Sequence, residues 1–95
     1  MTEANRLYAR SVDVVETQVD GKVMLLHVND WRYFALDTAG SAIWSMLESP
    51  KTIEDIVARL MNRFDVDAER CRADSLVFLQ GLIADGAVVE HASVH

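Results

Sequence analysis

Asp20-Gly21 lies between two runs rich in β-branched and apolar residues, "VDVVETQV" and "KVMLLHV". Both positions tolerate the positive φ that a tight two-residue turn between antiparallel strands requires. The ordered chain therefore starts with a hairpin. "KVMLLHV" is apolar on both faces, which marks it as the middle strand of a small sheet. A second turn signal, Asn29-Asp30, leads into "RYFAL" as a third strand. Two tight turns give a meander in the order one-two-three, with the third strand at an edge. Spacing alone leaves open which of Tyr33 and Phe34 faces the core; Leu36, at the strand's exit, points inward. Residues 1–10 read as a loose lead-in, and "AVVE" near the end as a short closing strand or an extended tail.

After residue 36 the apolar period changes from two to that of a helix. Asp37 or Thr38 caps a helix to about Leu47, with Ile43, Trp44 and Leu47 as its inner face. "SPK" stops it. Thr52 opens a second helix with a capping box that uses Asp in place of Glu. Ile53, Ile56, Val57, Leu60, Met61 and Phe64 form a single apolar stripe on that helix. Asp67 caps a third helix running to about Asp85, and Gly86 ends it. Gly81 sits inside this helix at a cost of about 1 kcal/mol relative to alanine. It marks simple tolerance, a close helix contact or a shallow notch. Strands followed by helices make an α+β domain, and 95 residues suit one domain.

Charge and composition exclude several functions. The balance of 9 Lys+Arg against 15 Asp+Glu gives a net charge of −6, opposed to binding nucleic acid or anionic membranes. No apolar run is long enough to span a bilayer. Cys71 is the single cysteine, so no internal disulfide forms and the chain fits a reducing cytosol. The N-terminus lacks the order of a signal peptide.

The chemistry of catalysis is equally sparse. There is no Gly-rich phosphate loop. His27, His91 and His95 do not combine with Cys71 into a metal site, and His27 reads as a partly exposed sheet residue. Cys71 lies near a helix start, the placement of many reactive thiols, but no histidine stands near it in sequence and a small core residue explains it better. Asp65, Asp67 and Glu69 lack the glycine and final glutamate of a calcium loop. No cofactor is implied, and the chain reads as a binding module rather than an enzyme. An open strand edge needs to be used or blunted. For "RYFAL" the candidates are an added peptide strand, the first ten residues, or a second copy of the chain.

The ordered set Leu36-Asp37, Gly40 to Trp44, Thr52 to Ile56, Phe64 to Val66 and Leu82 to Gly86 resembles the PqqD-like family of peptide-recognition elements. These serve pathways that modify ribosomally made peptides. The likeness spans about residues 12–90 of a single 1–95 domain. One departure is Asp37, where the family usually has asparagine; both cap a helix. The resemblance implies a winged helix-turn-helix-like fold, a three-stranded antiparallel sheet followed by three helices. It implies a non-catalytic protein, a monomer or weak dimer, that binds a precursor's leader segment as a strand added to the third strand. The leader then passes to a leader protease or other modifying enzyme. By position, the contacts implied are Trp31, Arg32, Tyr33, Phe34, Ala35 and Leu36 on the strand, and Cys71, Asp74, Ser75 and Phe78 on the third helix. The "AERCR" helix start is most similar to members from lasso-peptide pathways. The alternatives are a peptide chaperone for pyrroloquinoline quinone synthesis and a DNA-binding regulator.

Overall fold

The structure is a computed structural model and describes residues 6–92. Five strands and three helices follow one another: β1 (Arg6–Arg10), β2 (Val14–Val19), β3 (Lys22–His27), β4 (Arg32–Ala35), α1 (Thr38–Met46), α2 (Ile53–Arg63), α3 (Ala68–Ala84) and β5 (Val88–Ala92). The meander β2-β3-β4 is one antiparallel sheet with β3 in the middle, and β1 pairs with β5 in a separate two-stranded sheet. The three-stranded sheet and three helices match the architecture read from the sequence.

The turn at Asp20-Gly21 forms as its residues require: φ is +54° and +79°, and Val19 pairs directly with Lys22. The second turn is longer than the Asn-Asp pair alone. Trp31 belongs to it rather than to the strand, with φ at +57° and its N–H donating to the His27 carbonyl.

The lead-in reading of residues 1–10 is corrected from Arg6 onward; residues 1–5 lie outside the described part. Arg6–Arg10 is a strand paired along its length with Val88–Ala92. Its other edge meets the segment before α2, where Tyr8 and Lys51 exchange backbone hydrogen bonds of 2.8 and 3.0 Å. Tyr8 is fully buried. The partners of this strand stand some eighty residues away in sequence, so no local pattern announces it. "AVVE" accordingly resolves as a strand.

The helices begin at the residues their caps specify. Asp37 accepts from the Gly40 N–H at 2.7 Å. Thr52 and Asp55 form the reciprocal capping box. Asp67 accepts from the Arg70 N–H at 3.1 Å. At the end of α3, Gly86 has φ +80°. Its N–H donates to Ile83, and that of Ala87 to Leu82, the paired bonds of a left-handed helix stop. The predicted α2 stripe buries Ile53, Ile56 and Leu60, half-buries Val57 and Phe64, and leaves Met61 exposed. Nothing lies within 4 Å of a Cβ built on Gly81, so no close helix contact within the fold requires that glycine.

The core runs between the inner face of the sheet and the helices, from Leu25 and Leu36 through Ile43, Trp44 and Leu47 to Leu79 and Val88. Trp44 joins three elements. Its Nε1–H donates to Glu16 Oε1 at 2.9 Å. Its carbonyl accepts from Arg10, whose guanidinium lies 4.6 Å from the indole centroid and pairs with Glu16 at 3.3 Å.

His27 is buried rather than partly exposed. It packs against the end of α3: a Cβ built on Gly86 would sit 2.8 Å from its Nε2. His91 is exposed on β5, and His95 lies outside the described residues.

Two substitutions test this packing. Gly86→Ala adds a methyl at a positive φ and against the imidazole, and is expected to cost about 1–3 kcal/mol in denaturant unfolding. Gly40 faces Phe78, whose Cε1 lies 2.9 Å from a Cβ built there. Gly40→Ala should therefore destabilise less in a Phe78→Ala background, with a coupling of about 0.5–3 kcal/mol in a double-mutant cycle.

Candidate functional site

The hydrogen-bonding direction of β4 follows from its register. Leu36 N–H donates to the Val23 carbonyl at 3.0 Å. Along an antiparallel pair, hydrogen-bonded and non-hydrogen-bonded positions alternate. Val23 faces Leu36, Leu25 faces Phe34 and His27 faces Arg32, so the backbone groups of Leu36, Phe34 and Arg32 point at β3. The N–H and C=O of Tyr33 and Ala35 point the other way, to an edge on which no further strand pairs among the described residues.

Side chains alternate across the same strand. Arg32, Phe34 and Leu36 lie on the inner face with His27, Leu25 and Val23; Tyr33 and Ala35 lie on the outer face with Leu26 and Met24. Phe34 is therefore the half-buried aromatic packed against the core, and Tyr33 is 67% exposed. Leu36 belongs to the core, at 5% exposure. Trp31, in the turn, is 74% exposed.

Arg32 spans from β4 to the end of α3. Its Nη2 donates to Asp30 Oδ2 at 3.1 Å and to the Asp85 carbonyl at 3.2 Å, and Nη1 reaches Asp85 Oδ1 at 3.5 Å. The guanidinium lies 5.5 Å from the Phe34 ring centroid.

The four α3 residues singled out from the sequence come together. Cys71, Asp74, Ser75 and Phe78 line one cavity of about 340 Å³, walled on its other sides by Asp37, Ala39, Gly40 and Ile43 of the α1 region and by Leu60, Phe64 and Val66. Cys71 and Ser75 are buried, Phe78 is half-buried and Asp74 is exposed. Asp74 makes a 3.7 Å ion pair with Arg70, between two highly exposed side chains, which adds little stability. The cavity opens beside Asp37, the residue that follows the strand exit. The α1 and α2 wall was not read as part of the site from sequence. The pattern marked Ile43, Leu60 and Phe64 as core, and Ile43 and Leu60 are buried while also lining the cavity. Gly40 carried a usable signal, since a buried glycine in a helix marks a close approach.

A second cavity, about 720 Å³, shares Asp37 with the first and is lined by residues such as Lys22, Ala35, Thr38, Ser41 and Arg63. Among the described residues no group of histidine, cysteine and carboxylate side chains could hold a metal ion. Among the described residues no helix is long and apolar enough to cross a membrane.

No curated protein matches the chain. Among solved structures, one described as TbiB1 in complex with the TbiA(beta) leader peptide is 36% identical, with a TM-score of 0.78 over 84% of this chain and 93% of that one. A second, described as lasso peptide synthetase B1 complexed with the leader peptide, shares the fold at 19% identity, with a TM-score of 0.74 over 86% of this chain and 96% of that one. The family model described as coenzyme PQQ synthesis protein D matches residues 22–88, from the first residue of β3 to the first of β5, and the chain belongs to the PqqD family.

Proposed function

We propose that this protein binds the leader segment of a ribosomally made precursor peptide as a strand added to β4. It then delivers the leader to a protease or other modifying enzyme, in lasso-peptide biosynthesis. The observation that carries this reading is the free edge of β4, where the backbone groups of Tyr33 and Ala35 point outward beside an apolar cavity. An unpaired edge of this kind is satisfied by an extended peptide, with neighbouring pockets supplying specificity. The first ten residues lose ground as occupants of the edge, since Arg6–Arg10 pairs with β5 instead. The solved neighbours described as leader complexes support the choice of ligand, and the one described as a lasso peptide synthetase B1 favours the lasso pathway over pyrroloquinoline quinone synthesis.

In this reading Trp31 to Leu36 bound the added strand, with Tyr33 and Ala35 supplying the hydrogen bonds. Cys71, Asp74, Ser75 and Phe78 receive its inward side chains. The protein's part is binding, not bond-making, and its place is the cytosol, where a lone thiol stays reduced.

Proline placed along β4 separates this reading from general damage. Tyr33→Pro and Ala35→Pro each remove an N–H that the sheet does not use, which an edge strand tolerates. Both variants should keep the circular dichroism spectrum while losing about tenfold or more in affinity, since each removes a backbone hydrogen bond to the ligand and crowds it. Phe34→Pro removes an N–H directed at β3 and should unfold the sheet. The measurement is calorimetric titration with synthetic leader peptides, the TbiA(beta) leader among them. Unchanged affinity in Tyr33→Pro would rule out strand addition at β4.

A further inference from the structure

We propose that Arg32 is a specificity-determining residue that reads a carboxylate on the bound leader. The proposal rests on strand addition at β4 and deepens it by naming the chemistry of one leader position. Residues directly opposite each other in a sheet share a face. An antiparallel strand added to β4 therefore turns inward the three residues opposite Leu36, Phe34 and Arg32, at every second position. The first two meet apolar surroundings, since Leu36 is core and Phe34 packs against it. The third meets a guanidinium.

Three features fit Arg32 for this role. Its backbone groups point at β3, so against an added strand it occupies a non-hydrogen-bonded position, where opposed side chains approach most closely. Its head group is held in place by Asp30 and by the Asp85 side chain and carbonyl, over the Phe34 ring. Its donors are not used up: both shorter bonds leave from Nη2, Nη1 makes only the 3.5 Å contact, and Nε donates to no acceptor among the described residues. Two aspartates thus fix the guanidinium between β4 and the end of α3 and leave free N–H groups for another carboxylate. A lysine at the same leader position would face a like charge directly across the strands, which destabilises. The aspartates and Arg32 are all half-exposed, so solvent screens the attraction and the repulsion alike, and the free N–H groups of Arg32, placed directly opposite the added residue, favour the acid.

The leader segment so read is, from its N-terminal end, apolar, any, apolar, any, acidic. A peptide library randomised over seven residues and displayed on yeast, sorted for binding to the full chain, tests this. The expected result is enrichment of Asp or Glu two residues after the second of two alternating apolar residues. In a selected peptide, changing that acid to its amide should weaken binding about two- to fivefold. Arg32→Gln as bait should abolish the preference, and Arg32→Glu should replace it with Lys or Arg. Circular dichroism on both variants checks that they fold. Binders with no acid at that position, or an acid preference that persists in Arg32→Glu, would overturn the role of Arg32 while leaving strand addition standing. A library that yields no alternating binder would overturn both.

Discussion

The hydrogen bond from Leu36 N–H to the Val23 carbonyl sets the phase of the whole outer edge of β4. It makes every second residue of β4 a partner of β3 and turns the intervening ones outward. Slipping this pairing by a residue would carry Leu36 and Phe34 out of the core and bring Tyr33 and Ala35 in. The buried side chains on the inner face and the exposed backbone at the edge are thus two consequences of one register. The same alternation, continued through β3, directs its remaining backbone groups at β2, where Val28 N–H donates to the Asp13 carbonyl. A three-stranded sheet in which the middle strand is fully paired leaves free edges on both sides. The one on β4 leads to Asp37, which lines the α3 cavity.

What holds that edge in position is packing from behind. Trp44 links β1, β2 and α1 through Arg10 and Glu16. At the opposite end, His27 packs on Gly86, and Arg32 ties β4 to the α3 stop. Between them Phe78 lies against Gly40, so α1 and α3 approach closely enough to floor a cavity. A chain of this size gains limited stability from its core. Here the backbone pairing of β1 with β5 and with Lys51 closes the fold behind the core.

Local signals in the sequence reached far but not everywhere. The Asp20-Gly21 turn, the caps at Asp37, Thr52 and Asp67, and the stop at Gly86 were all legible, because each depends on a few neighbouring residues. The strand at Arg6–Arg10 was not, since its partners are Val88–Ala92. The burial of His27 was missed for the same reason: a histidine in mid-strand is covered only by a helix end far along the chain. The choice between Tyr33 and Phe34 hinged on turn length, and Trp31 adopts a left-handed conformation that a bulky aromatic seldom takes. The α3 side of the candidate site was recovered through resemblance to a family. Its α1 and α2 wall emerged only from three-dimensional packing.

Amide hydrogen exchange followed by NMR, on the free protein and on the protein saturated with a bound leader peptide, tests strand addition most directly. The amides of Phe34 and Leu36 are already bonded to β3 and should be protected in both states. Those of Tyr33 and Ala35 should exchange freely without the peptide and become strongly protected with it. Protection that leaves Tyr33 and Ala35 unchanged and appears elsewhere, such as along β5, would contradict the account.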